Sequence, residues 1–134
     1  MRPLPILAAL VIAGAALPAA SQDAVPLTMS PKLEKQLAGR TPGKPVSCIS
    51  LSQVRGGSST FANPDTIVYR ASSRLSYVNQ PAGGCNLRSD PIIMSRTPST
   101  QLCRGDIITV LDRSSRIPVG SCGLGDFVPF TRGK

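Results

Sequence analysis

Histidine and tryptophan are absent from this 134-residue sequence, and its aromatic residues amount to two tyrosines and three phenylalanines. Without imidazole there is no Ser-His-Asp or Cys-His nucleophile system and no histidine-ligated metal. The usual acid–base group titrating near neutrality is missing as well. Acidic groups are scarce too. Glu34 is the only glutamate, and seven acidic residues face fifteen lysines and arginines, for a formal net charge of +8. Past residue 17 no apolar run approaches the length of a membrane helix. At roughly 100–200 residues per domain, the chain makes one domain at most.

The one long apolar run, residues 4–17, follows Arg2 and precedes Pro18, Ala19, Ala20 and Ser21. A positive charge, an apolar stretch and trailing small residues predict a secretory signal peptide over residues 1–20. As a helix the run would reach only about 21 Å, short of the roughly 30 Å hydrocarbon core, so no membrane span is expected. The expected destination is the periplasm or the exterior. Loss of Arg2 with the leader takes the net charge from +8 to +7.

Four cysteines follow, Cys48, Cys85, Cys103 and Cys122, separated by 37, 18 and 19 residues. An even number in an exported chain predicts two disulfides. A zinc site normally takes its thiolates from closely spaced pairs, and none exists, so no metal is expected. Three pairings are open. The preferred one is nested, with Cys85–Cys103 inside Cys48–Cys122.

Residues 21–44 read as a flexible lead, a short helix and a connector. Ser30 and Pro31 open a two-turn helix over 31–38, with Leu33 and Leu37 on one face and Gly39 at its end. From 45 to 132 the pattern becomes short apolar or β-branched runs at 46–51, 66–70, 75–79, 92–95, 107–111 and 123–130, punctuated by turn residues. These predict a mainly β domain, a small antiparallel barrel or sandwich of about six strands stapled by two disulfides. Pro129 within the last run predicts an edge strand or a strand end.

Chemical motifs are few. Residues 39–45 look like a phosphate-binding loop, but the first glycine is one position late and Pro45 stands where a Ser or Thr would hold magnesium. The six aspartates include Asp65, Asp90, Asp106, Asp112 and Asp126, each at a strand end or turn, where Asp commonly accepts backbone N–H groups. Arg104, Gly105 and Asp106 spell an adhesion tripeptide, which a tight turn before a strand explains. The lysines lie outside the predicted strands, which disfavours a desolvated Ser-Lys system. No catalytic residues and no cofactor are therefore assigned.

Positive charge is what remains. The arginines are dispersed, mostly at strand ends and turns rather than in a run, and convergence of the turns at Arg70/Arg74 and Arg113/Arg116 is the candidate patch for an anionic partner. Nucleic acid is not expected as that partner, since few aromatic residues are available for stacking and export removes the chain from most of it.

Several blocks recur in order: Cys48-Ile49-Ser50-Leu51, Asp65-Thr66-Ile67-Val68-Tyr69, Tyr77-Val78-Asn79, Gly84-Cys85, Gln101 through Asp106 and Cys122 through Pro129. Together they resemble a family of small exported proteobacterial proteins of unknown function with four cysteines. The resemblance covers about residues 38–132. It implies an envelope location and structural cysteines, and carries no activity. The resulting expectation is a non-catalytic periplasmic protein that binds an anionic envelope component or protein through its basic surface. Two alternatives come from other classes. One is a small secreted inhibitor of an envelope-directed enzyme, presenting a rigid loop at 80–91 or 112–121. The other is a His-independent hydrolase using Asp and Ser or Tyr, with two carboxylates, or an Asp beside an activated hydroxyl, in a concave pocket.

Overall fold

In the computed structural model, which describes residues 26–54 and 59–133, the chain begins by realising its helix signal. Ser30 is extended and its hydroxyl accepts the Leu33 N–H at 3.2 Å, capping helix α1 (Pro31–Gln36). The helix closes two residues short of the predicted 38. Leu37 has already left helical geometry, and Gly39 takes a left-handed φ of 72° to turn the chain into strand β1 (Arg40–Pro42). The predicted leader at residues 1–20 lies outside the described residues.

The remaining elements are β2 (Cys48–Ser50), a one-turn helix α2 (Leu51–Val54), β3 (Ser59–Asn63), β4 (Thr66–Arg70), β5 (Leu75–Asn79), β6 (Ile92–Ser95), β7 (Gln101–Cys103), β8 (Ile107–Leu111), β9 (Pro118–Gly123) and β10 (Phe127–Arg132). They form three antiparallel sheets, in the orders β1-β10-β5-β4-β3, β2-β7 and β6-β8-β9. The mainly β, antiparallel expectation holds. Among the described residues the strands number ten rather than about six. Runs 66–70, 75–79, 92–95 and 107–111 are strands over those same residues, and run 46–51 shrinks to β2 before turning helical. Run 123–130 divides: Gly123 ends β9, residues 124–126 form a loop, and β10 begins only at Phe127. Strands β1, β3 and β7 are short segments with polar residues, and they become strands because a neighbour offers them a ladder.

The five-stranded sheet is buried on both faces, which is why β4 reads as an uninterrupted apolar run. Alternation along the strands sorts the residues. Phe61, Ile67, Tyr69 and Phe127 join Ile49, Leu102, Ile108, Val110 and Leu124 from the two smaller sheets and their loops, and the Tyr69 and Phe127 rings meet at 5.9 Å between centroids. On the opposite face Ala62, Val68, Val78 and Phe130 pack against Leu33 of α1 and Leu37 just beyond its end. The helix stripe seen in the sequence thus docks on the sheet.

Pro129 does not mark an edge. Strand β10 lies between β1 and β5. The Pro129 carbonyl accepts the Gly43 N–H at 2.7 Å, so its donorless nitrogen faces the same side, where β1 has already ended at Pro42. The missing hydrogen bond falls where the ladder is already thin.

The disulfides are interleaved, not nested: Cys48–Cys103 and Cys85–Cys122. Cys48 and Cys103 are direct partners across β2 and β7, a register that loop lengths alone do not reveal. Cys85–Cys122 ties the 80–91 segment to β9. Two adjacent carboxamides complete the framework. Buried Asn79 donates to the Gly125 carbonyl and accepts the Gly125 N–H, while Gln80 does the same for Thr28.

Candidate functional site

The end of the five-stranded sheet that carries the β4–β5 turn is built of arginines. Arg40 and Arg132 are direct partners across β1 and β10, so their side chains leave the same face of the sheet. Arg132 shares that face with Phe130, and Arg70 shares it with Val68, both of which pack on the helix side. Alternation therefore puts Arg40, Arg70 and Arg132 together, just beyond the apolar cluster under α1. Arg74 joins them through the backbone, its carbonyl accepting the Arg132 N–H at 2.8 Å.

These arginines reach carbonyls rather than carboxylates. Arg40 Nη2 donates to the Ser73 carbonyl at 3.0 Å and Arg132 Nη2 to the Ala38 carbonyl at 3.5 Å. Among the described residues the ion pairs are Arg104–Asp126 and Arg113–Asp90, so no carboxylate there pairs with Arg40, Arg70, Arg74 or Arg132. Arg40 is half-buried, and its Nε and Nη1 atoms are sealed from solvent without a hydrogen-bond partner. Burial, and then the nearby charges of Arg132 and Arg70, push its guanidinium below the ordinary value. A buried donor without an acceptor is costly, and a like charge beside it adds to the cost.

The proposed patch is thus only half of one. Arg70 and Arg74 lie at this basic end, whereas Arg113 and Arg116 lie in the β8–β9 turn of the three-stranded sheet. Arg113 is engaged there, its Nη2 2.9 Å from an Asp90 carboxylate oxygen and its Nε donating to the Asp90 carbonyl at 2.8 Å. Sequence reading missed Arg40 and Arg132 as members. The odd–even phase of Arg132 with Phe130 is a signal in the sequence, but residues 40–42 carry no strand pattern of their own and read as connector.

A second constellation joins the two loops named for the inhibitor reading. Segments 80–91 and 112–121 are linked by Cys85–Cys122 and by the Arg113–Asp90 contacts. Left-handed backbone gathers in the first of them, at Gly83, Gly84, Asn86, Ser89 and Asp90, with Arg116 in the second. Exposed Ile117 and Val119 sit beside this brace.

A cavity of about 610 Å³ opens at the other end of β5, lined among others by Asp65, Thr66, Gln80, Arg104 and Asp126, with residues 26–28 as one wall. It does contain two carboxylates. Asp65 Oδ1 accepts the Cys85 N–H at 3.0 Å, and Asp126 pairs with Arg104 at 3.2 Å. The Thr66 hydroxyl accepts from Gln80 Nε2 at 2.9 Å. Asp65, Thr66, Gln80, Arg104 and Asp126 each thus have at least one polar partner within the protein. Among the described residues no cluster of three or more Cys, Asp or Glu side chains is placed to hold a metal, and no helix is long and apolar enough to cross a membrane.

No family model matches the chain, and no curated protein or solved structure matches it either.

Proposed function

We propose that this is a non-catalytic periplasmic protein that binds an anionic envelope component through the basic end formed by Arg40, Arg70, Arg74 and Arg132. The observation that carries this reading is a group of arginines at one sheet end with no carboxylate partner among the described residues. The two disulfides fit an oxidising compartment, and the apolar run at residues 4–17 fits export.

The test is retention on vesicles of anionic lipid over a series of salt concentrations. Binding should be strong at low ionic strength and fade as the Debye length falls from about 30 Å at 0.01 M to about 10 Å at 0.1 M. The R70E/R74E variant should lose it, and R113E/R116E should keep it. Salt-independent binding, or none at low salt, removes the reading.

A second reading, an inhibitor of an envelope-directed enzyme, has one observation in its favour: the disulfide and ion-pair brace between segments 80–91 and 112–121, with Ile117 and Val119 exposed beside it. Rigid loops of this kind bind without a large ordering cost. It predicts stoichiometric co-purification of an enzyme, lost on Ile117→Asp.

A further inference from the structure

We propose that Arg40, Arg70 and Arg132 form a discrete oxyanion site whose ligand is a phosphate group, a monoester or inorganic phosphate. This deepens the basic-surface reading and rests on it for location only. A diffuse basic surface keeps its cations apart and hydrated. Here the alternation of β1, β4 and β10 gathers three guanidiniums on one face at one sheet end. One of them, Arg40, already spends Nη2 on the Ser73 carbonyl and keeps two sealed donors, Nε and Nη1, without an acceptor.

An anion seated among the three side chains corrects both defects at once. It supplies oxygens to the orphaned N–H groups, and its charge offsets the mutual repulsion. Arg70 and Arg132 are exposed and meet the anion first, and the Arg40 side chain turns outward to bring Nε and Nη1 to it. The number of cations selects the ligand. A carboxylate brings one charge on two oxygens, whereas a phosphomonoester brings about −1.5 to −2 at neutral pH on three free oxygens. Guanidinium groups suit such oxygens because their donors are planar and fixed in direction.

The phosphate could arrive free or on a lipid headgroup, and the experiment separates the two. The oxidised, leader-free protein is titrated calorimetrically with inorganic phosphate at constant ionic strength, using chloride as the control. In parallel it is offered vesicles carrying either a phosphomonoester or a phosphodiester lipid. The expected result is saturable binding of one phosphate per chain, weakened about tenfold or more by Arg40→Gln and less by Arg40→Lys, which keeps charge without the fork. Arg104→Gln, at the other end of the sheet, should leave it unchanged. A headgroup source appears as tighter binding to monoester than to diester vesicles.

Thermal unfolding checks the fold of each variant and supplies an independent readout. Phosphate should raise the melting temperature of the parent protein, while Arg40→Gln should melt no lower than the parent in chloride and gain nothing from phosphate. Saturable phosphate binding that survives Arg40→Gln overturns the site. So does vesicle adhesion with no binding of inorganic phosphate, which would leave the broader basic-surface reading standing. Phosphate binding lost on Arg40→Gln, with no adhesion to any vesicle, would sustain the site and remove the surface reading.

Discussion

Three side-chain atoms are both buried and unpartnered among the described residues, and they belong to two residues of opposite meaning. Two are on Arg40, a half-buried residue at the basic end of the sheet. The third is the Tyr69 hydroxyl, inside the core against Phe127, where burial pushes its ionisation well above the ordinary value. A buried hydroxyl with no acceptor contributes about 1–3 kcal/mol of desolvation cost, while the ring contributes apolar contact. Tyr69→Phe keeps the ring and removes the cost, so it should stabilise the fold by about 1 kcal/mol, read as a higher urea midpoint at unchanged m-value. A loss of stability would mean that the hydroxyl has a partner after all. Asp112 presents the reverse case on an exposed turn. The hydroxyl and N–H groups of Ser114 and Ser115 all converge on its Oδ1, and they pull its carboxyl down to about 2. A depressed folded value means the turn's contribution is fully present above the ordinary carboxylate range and is lost as pH falls towards about 2. A carboxyl carbon titration by NMR should show this midpoint, and Ser114→Ala should move it up towards the ordinary range.

At the scale of elements, legibility follows whether a segment carries its own signal. The strands β4, β5, β6 and β8 are apolar or β-branched runs bounded by turn residues, and the sequence marks their ends to the residue. Helix α1 is marked by Ser30, Pro31 and the Leu33/Leu37 stripe. By contrast β1, with Arg40 and Thr41, and β7, with Gln101 and Cys103, are strands only because β10 and β2 lie beside them. That dependence is tertiary, and no local period records it. The same gap explains both missed features. An unseen β1 hid Arg40 from the basic site, and an unseen β7 hid the Cys48–Cys103 register. The β2-β7 pair has three residues in each strand and no third strand in its sheet, so ladder hydrogen bonds alone would leave it marginal. Cys48→Ser with Cys103→Ser should therefore raise hydrogen exchange first at Ile49 and Leu102, before the β4-β5 amides respond. Uniform loss of protection across all three sheets would show instead that the bridge supports the whole fold directly.

For the whole molecule, the decisive feature is one central sheet covered on both faces, which divides a modest apolar interior into two clusters. A chain of 134 residues, less any leader, buries a smaller fraction of its surface than larger domains do, and five aromatic residues limit what each cluster can hold. The cross-links are distributed unevenly over that division. Cys85 and Cys122 belong to the cluster on the side of the two smaller sheets, and Cys48–Cys103 joins strands of that same side, whereas the helix side has none. On the chain-entropy account, bridges spanning 55 and 37 residues are each worth about 4 kcal/mol, a large part of the 5–15 kcal/mol typical of a domain. Because the bridges interleave, each one shortens the unfolded loop left by the other, so the second to be cut should cost more than the first. Reduction of both should thus abolish cooperative unfolding near 37 °C. Either double Cys→Ser variant alone should still melt cooperatively, at a lower temperature. Calorimetry of the oxidised, singly bridged and fully reduced proteins measures the series directly. A reduced protein that melted within a few degrees of the oxidised one would show that the two apolar clusters, with the Asn79 and Gln80 clamps, hold the layers together without covalent help.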